Sequence, residues 1–309
     1  MSSSELVQLE LPDPGAPPVV TRRPRRGRSL VARELWAVVR RSRSVQFGLV
    51  LVVLLFLAGL LAPLLTPYSP IQIDLGNTLQ PPSLAHPMGT DELGRDQLTR
   101  ILYGARISMI MGVLAVAIAS TFGALLGLVA GYAGGFTDNL IMRGMDALLA
   151  FPALLLALLI ISALGPGLGK VLIAFGIGGV PFYARLLRSM VVSIREREYV
   201  EAARALGASP TRVMLRHVLP NSISPLIIAT SLAMGVVIVG LAGLGFLGLG
   251  AQPPTPEWGA MLSGSQARFF TAPWLLFTPG AMILLAVVGY TLLGDGLRDA
   301  LDPRLRQSQ

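Results

Sequence analysis

The sequence predicts an all-α protein that crosses a membrane six times. Hydrophobic residues make up 53% of the chain and charged residues only 14%, whereas soluble domains carry about 25% charged residues. Six apolar stretches approach the roughly 20 residues that a helix needs to cross a bilayer. Basic residues are also divided unequally between the segments that join these stretches. The three observations together indicate one polytopic membrane domain.

The six predicted spans differ in strength. In chain order they cover residues 45–65, 107–131, 141–164, 171–190, 224–250 and 274–293. The third has Arg143 and Asp146 near its start. The fourth is the weakest, because Arg185 and Arg188 fall in its second half, and we expect both side chains to extend to the cytoplasmic surface.

The basic residues predict the orientation of the spans. With the N-terminus inside, the inner segments hold 20 of the 25 basic and 12 of the 17 acidic residues, so the whole net charge of +8 lies inside. Cytoplasmic loops of membrane proteins are enriched in Lys and Arg. We therefore expect both termini in the cytoplasm, with the chain embedded in membrane lipid. Topology accounts for the basic excess, and no nucleic acid partner is expected.

Residues 1–44 differ from the rest of the chain and are expected to form a tail before a membrane domain at 45–306. The tail is rich in Arg and Pro, and residues 21–29 have no apolar face, which is typical of a disordered segment. Residues 35–39 could turn helical. Arg22 and Arg23 would also fit a twin-arginine export signal, but the apolar run begins some twenty residues later and is too long for one.

Small residues mark the expected helix contacts. On the second span they recur at every fourth position: Ala115, Ala119, Gly123, Gly127 and Gly131. Such a stripe allows two helices to approach closely in lipid. Four more small residues end the fifth span: Gly243, Gly245, Gly248 and Gly250. Tight packing is the favoured interpretation of both sets, and a role in gating is the alternative for the second.

The sequence offers no reactive constellation. It has no cysteine, and His86 and His217 lie far apart, so no catalytic or metal-binding residues are predicted. Lys170 ends a GPGLGK segment, but Leu164 and Val171 replace the Gly and Ser/Thr of a phosphate loop. We therefore expect a non-enzymatic chain with no cofactor of its own, whose energy comes from a partner. A proton-coupled secondary transporter is disfavoured, because five of the six spans lack a central charge.

Residues 196–221 are the longest polar passage within the hydrophobic part. They predict two short helices with a break between them. The first has Val200, Ala203 and Leu206 at helical spacing and stops at Gly207. Ser209 and Pro210 then suit the N-cap and first turn of the second helix, which Pro220 is expected to break.

This passage resembles the EAA loop of ABC importer permeases, which docks into a groove on the ATPase subunit. The residues that match the family pattern are Glu201, Ala202, Ala203, Gly207, Val218, Leu219 and Pro220. The residues that we assign to ATPase coupling are Glu201, Ala202, Ala203, Arg204, Gly207 and Pro210. A basic helix lying on the membrane surface and a helix-turn-helix reader of DNA, based on Arg204, Arg212 and Arg216, are the alternatives for this stretch alone.

Three further stretches resemble the C-type permease of dipeptide, oligopeptide and nickel importers. They are residues 86–96, 252–259 and 293–304, and with the loop they extend the likeness over most of 45–306. The resemblance implies a type I importer permease fold in a bacterial plasma (inner) membrane. It also implies half of a translocation path, whose lining residues the sequence does not reveal. It also implies four kinds of partner or surroundings: a second permease as a heterodimer, two ATPase subunits that bind the ATP, an extracytoplasmic substrate-binding protein, and membrane lipid.

The resemblance leaves the solute open between peptides, nickel, glutathione and other small molecules. The chain also departs from the family at one place. Where the family often has a Glu and a Ser before FLGLG, this chain has Leu241 and Gly245. This departure argues against a polar role for the fifth span here.

Overall fold

The computed structural model describes Val39 and residues 42–301, with side chains as far as Asp299. Within that part the chain is helical and contains no strand. The helices are α1 (Arg43–Leu60), α2 (Ala62–Leu65), α3 (Gln97–Ala133), α4 (Gly135–Leu149), α5 (Ala153–Leu164), α6 (Leu168–Arg195), α7 (Glu198–Ala205), α8 (Pro210–Val213), α9 (Leu219–Phe246), α10 (Trp258–Ser265) and α11 (Trp274–Leu301). The predicted tail, residues 1–44, lies almost wholly outside the described residues.

Five helices among the described residues are long and apolar enough to cross a membrane, and a bent pair brings the number to six. The bent pair is α4 and α5, which meet at an angle of 89° where one straight span was expected over residues 141–164. Pro152 explains the bend, since it stands at the N-cap of α5 with ψ of 134°. A proline also disfavours helical geometry at the residue before it, here Phe151.

The contact between α3 and α6 lies at the centre of the fold. A Cβ added to Gly123 would lie 2.6 Å from the Val180 carbonyl oxygen, and one added to Gly131 would lie 2.9 Å from that of Arg188. The two backbones therefore touch along three successive turns of α3. The predicted stripe of small residues is confirmed as a packing face, and Ala115 and Ala119 on it are buried.

A second close contact joins α1 to α11. A Cβ on Gly48 would lie 2.7 Å from the carbonyl oxygen of Gly289, and one on Gly289 would lie 3.0 Å from Val52 Cγ2. Next to this contact, Gly294 of α11 packs closely against the side chain of Leu232 of α9. Glycines thus bring α1, α9 and α11 together.

Ion pairs fasten α4 to α6. Arg188 binds Asp138 through two nitrogens, with Nη2 2.6 Å from Oδ2, and Arg185 Nη2 lies 2.6 Å from Asp146 Oδ1. We expected both arginines to extend to the cytoplasmic surface, and this stays a prediction. Each also pairs with a carboxylate on α4, which crosses α6 as a separate helix before the bend.

The remaining apolar surface suits lipid or a partner chain. Leu54 and Phe47 of α1 and Val236 of α9 are more than half exposed. An open apolar cavity of about 360 Å³ lies between α3, α6 and α9, with Phe175, Phe182 and Val236 in its wall.

We predict that Gly127→Ala destabilises the fold. The added Cβ would lie 2.9 Å from Leu187 Cβ and 3.0 Å from the carbonyl carbon of Ala184, and such overpacking costs about 1–3 kcal/mol. Gly144→Ala on α4 is the control, because nothing lies within 4 Å of its added Cβ. The thermal midpoint of the protein purified in detergent should fall for Gly127→Ala and hold for Gly144→Ala. Equal midpoints for the two variants would contradict the close contact.

Candidate functional site

The candidate coupling loop, residues 196–221, joins two of the long helices. It leaves the end of α6, forms α7, turns at Gly207 and continues as α8. The turn of π-helix over Met214–Val218 then leads directly into α9. Two short helices separated by a break were predicted here, and both are present.

Gly207 shapes the break between the helices. Its φ is +81°, a left-handed conformation that glycine adopts without strain. Gly207 N–H donates to Arg204 O at 2.9 Å and Ala208 N–H donates to Ala203 O at 3.0 Å. This is the Schellman pattern of a helix C-terminus. The predicted glycine cap is confirmed.

The second helix begins as the sequence predicts and ends differently. Ser209 Oγ accepts from Arg212 N–H, and Pro210 occupies the first turn. Pro220, however, does not break the helix, which runs on from Pro210 to Phe246. The π-turn explains this difference. Leu219 N–H, at the end of the π-turn, donates to Met214 O five residues earlier. The α-helical hydrogen-bond pattern is therefore already interrupted at Pro220, which has no N–H to donate.

Apolar side chains hold the loop to the membrane domain. Val200 of α7, Val213 of α8 and Val218 of the π-turn are fully buried. They form one cluster with Leu128, Val191 and Ile194 of α3 and α6. The loop therefore has a fixed inner side, and the helices of the core determine its position.

The residues assigned to coupling are largely exposed on the loop. Glu201, Ala202, Arg204, Gly207 and Pro210 are exposed, and Ala203 is half-buried.

Leu206, which follows Val200 and Ala203 at helical spacing, is 89% exposed. It is the C-cap residue of α7, where the chain turns away from the core. Leu215, 57% exposed, adds a second apolar side chain on the far side of the break. Sequence reasoning missed this apolar pair, although an aliphatic residue directly before a capping glycine is a usable signal.

The opposite end of the molecule is closed by residues 86–96, which form an ordered loop. Asp91 accepts from Leu93 N–H and Arg95 N–H, both at 2.9 Å, and its Oδ2 lies 2.6 Å from Arg95 Nε. Asp96 caps α3 through Thr99 N–H and lies 2.9 Å from His86 Nδ1. The turn glycines Gly89 and Gly94 have positive φ.

Arg100 ties this loop to the segment before α10. Its Nη1 donates to Pro70 O at 2.8 Å and lies 3.4 Å from Pro254 O, while Nε lies 3.4 Å from Asp91. A cavity of about 260 Å³ opens beside it. Its wall is mixed: the polar and charged residues are Asp91, Glu92, Arg95, Gln97, Arg100, Thr255 and Ser265, and the apolar ones include Leu93, Met261 and Leu275.

Glu257 is a buried acid that the sequence reasoning did not single out. It caps α10 by accepting from Gly259 N–H and Ala260 N–H, both at 2.9 Å. Burial raises the pKa of the Glu257 carboxyl above its ordinary value, and the hydrogen bonds from Gly259, Ala260 and Ser108 offset only part of this rise. The next residue, Trp258, is fully buried and donates from Nε1 to Ile101 O at 3.1 Å. An acid directly before an aromatic–glycine pair that starts a helix is the signal that could have identified it.

These features define a class of protein. It is a polytopic α-helical membrane component with an ordered, capped loop at one end and a closed polar face at the other. The chain belongs to the family of binding-protein-dependent transport system inner membrane components, whose model matches residues 123–307. A second model, described as the N-terminal transmembrane domain of oligopeptide transport permease C, matches residues 31–82. The resemblance drawn from the motifs is confirmed.

Relatives cover nearly the whole chain. A dipeptide transport system permease of Alkalihalophilus pseudofirmus is 44% identical over 308 residues, 99% of this chain and 100% of its own length. A glutathione transport system permease of Escherichia coli is 43% identical over 274 residues, 88% of this chain and 90% of its own. The solved MetNI methionine ABC transporter in an inward-facing state matches at 17% identity and a TM-score of 0.52, over 65% of this chain and 96% of that one. This last likeness shows the fold alone.

We predict that Arg204 stabilises the loop through Tyr132. The guanidinium carbon lies 5.2 Å from the centre of the Tyr132 ring, a cation–π contact worth about 0.5–1 kcal/mol at an exposed site. Arg204→Ala and Tyr132→Leu should each lower the free energy of local opening of α7 by this amount, measured by amide hydrogen exchange. The double variant should lose no more than one single variant loses.

Arg212→Ala is the control for this cycle. Arg212 is exposed, and its side chain makes no hydrogen bond or ion pair within the described part of the chain. Exchange in α7 should be unchanged. Additive losses in the double variant would show that the two side chains act independently.

Proposed function

We propose that this chain is a permease subunit of an ATP-driven importer of short peptides. The coupling loop carries the proposal: its inner side is fastened to the core, and its outer side offers small and apolar residues to a partner. The matched dipeptide permease supports peptides as the solute. The matched glutathione permease supports glutathione, itself a peptide, as the second candidate.

The loop surface suits a groove on an ATPase subunit. Ala202 and Ala203 allow close approach of another backbone, Glu201 supplies an acceptor, and Leu206 supplies an apolar side chain that the core leaves exposed. Pro210 and Gly207 fix the angle between the two short helices. Glu201, Ala202, Ala203, Arg204, Gly207 and Pro210 would therefore make the docking contact.

The other components of the transporter follow from the family. We infer a second, related permease at the apolar groove of α3, α6 and α9, two ATPase subunits at the loops, and a substrate-binding protein on the outer face. The chain itself would have no catalytic activity and no cofactor. In support, Leu164 and Val171 stand where a phosphate loop has Gly and Ser/Thr, and Lys170, in the first turn of α6, donates from Nζ to Pro166 O.

The test is reconstitution of the complete transporter purified through a tag on this chain. Uptake of a labelled dipeptide into vesicles should require ATP, the binding protein and both ATPase subunits. Glutathione and Ni²⁺ serve as competitors that identify the solute. The chain purified alone should neither bind nor hydrolyse ATP, and ATP-independent uptake driven by a proton gradient would refute the proposal.

We predict that Gly207→Val abolishes uptake while the chain still inserts into the membrane. A Cβ at this position meets nothing within 4 Å, so the penalty comes from the backbone. Left-handed geometry costs a residue with a side chain about 1–2 kcal/mol. Relief of that strain would rotate α8 away from α7 and remove the docking surface. ATPase co-purification and dipeptide uptake at matched membrane levels measure the effect.

Gly207→Asn is the matched control, because asparagine enters the left-handed region more readily than other residues. It should retain most uptake. Glu201→Ala should lose less than Gly207→Val, since α7 stays intact. Full uptake by Gly207→Val would show that the loop is not a demanding coupling element.

A further inference from the structure

One helix connects the coupling loop to the outer face. From Pro210 to Phe246 the helix is continuous for 37 residues, with the π-turn inside it. At 1.5 Å per residue it is about 55 Å long. Its inner end follows Ser209 of the loop, and its outer end carries Gly245. Displacement of the loop therefore acts on the far end of α9 without an intervening break.

The outer end of α9 forms a seat for Glu257. A Cβ added to Gly245 would fall on Glu257 Oε2 and lie 3.1 Å from Gly259 Cα and from Ala260 N. Gly250 packs against Gly245, since a Cβ added to Gly250 would be 2.8 Å from Gly245 Cα. The missing side chains thus create the space into which the carboxylate and the first turn of α10 fit.

The same carboxylate is bound from α3. Ser108 Oγ donates to Glu257 Oε1 at 3.2 Å and accepts from Trp258 N–H at 3.3 Å. Gly104 makes room for the Trp258 ring, since a Cβ there would lie 2.9 Å from Trp258 Cδ1. The start of α10 is therefore fixed to α3 and to α9 at one point.

We propose that Glu257 is a positioning residue that fastens α10 to the outer end of α9, so that movement of the coupling loop reaches the outer cavity. Four residues of α10 stand in the cavity wall: Ala260, Met261, Gly264 and Ser265. A shift of α9 that carries α10 with it changes the cavity directly. This inference rests on the proposed function, because it requires a loop that is moved by a partner.

A carboxylate is the group that this seat requires. Oε1 accepts from Gly259 N–H and Ser108, and Oε2 accepts from Ala260 N–H. A glutamine offers an acceptor at only one of the two positions and would set a donor against a donor at the other. Glu257→Gln therefore keeps the side-chain volume but disrupts the first turn of α10, which lies against Gly245.

The absence of cysteine in the sequence makes a direct test possible. Thr255→Cys places a single thiol on the cavity wall of the complete transporter in vesicles. A membrane-impermeant maleimide then reports the labelling rate with and without ATP. Gly245→Ala is added to obstruct the seat, and Gly243→Ala is the control on the same helix, since nothing lies within 4 Å of its added Cβ.

In the Thr255→Cys background we expect ATP to change the labelling rate several-fold. With Gly245→Ala the rate should be the same with and without ATP, while ATP hydrolysis continues and uptake falls about tenfold, within the range typical of coupling between distant sites. Gly243→Ala should behave as the background. Glu257→Gln should reproduce Gly245→Ala and takes its place if that variant fails to assemble.

Three outcomes would overturn the inference, provided that the unmodified transporter shows normal ATP-driven uptake. The first is that ATP does not change the labelling rate of Thr255→Cys. The second is that ATP still changes this rate in Gly245→Ala and Glu257→Gln, and the third is that Gly243→Ala loses the change as fully as Gly245→Ala does. Failure of the proposed function looks different, because the unmodified transporter would then show no ATP-driven uptake at all. Ser108→Ala separates the two attachments of α10, since it removes the bond to α3 and leaves the contact with Gly245. It should reduce the ATP response less than Gly245→Ala does.

Discussion

The contact between the backbones of α3 and α6 is the constraint on which the rest of the structure depends. Lipid supplies no hydrophobic drive for helix association, so close packing of small residues must hold the helices together. Gly123, Gly127 and Gly131 achieve this along one face of α3. The seam continues to the end of α6, where Val191 and Ile194 receive the valines of the coupling loop. The position of the loop is thus set by the same contact that organises the membrane domain.

Glycine has three separate uses in this chain, and they respond differently to substitution. On α3 it permits backbone contact, and at Gly207 it permits a left-handed turn in open space. At Gly245 it leaves room for a carboxylate from another segment. The departure at Leu241 and Gly245 acquires a physical meaning here, because the outer end of α9, after Ser231, has no polar side chain and Glu257 brings one to it.

The sequence predicted the features that depend on composition and local geometry. Five of the six spans, the small-residue stripe and the Gly207 cap follow from short-range rules, and the structure confirms them. The bend at Pro152 and the continuous helix through Pro220 were missed. Pro152 bends the chain and Pro220 does not, because a π-turn comes directly before Pro220, and such a turn is not visible in the sequence. The pairs of Arg185 and Arg188 with α4 and the seat of Glu257 were also missed, since each joins residues distant in sequence.

The arrangement of charge on α7 distinguishes a protein partner from the membrane surface as the neighbour of the loop. A helix that lies on a bilayer presents a wide apolar face to lipid and basic residues to its anionic headgroups. On α7 the apolar Val200 faces the core, and the exposed surface carries Glu198 and Glu201 beside Arg204. Two carboxylates would be repelled by such headgroups, while Tyr199 and Leu206 are too small an apolar face to hold this helix in lipid. A surface of small residues, scattered exposed apolar side chains and mixed charge on a rigid support instead supports the proposed docking into a groove on a protein.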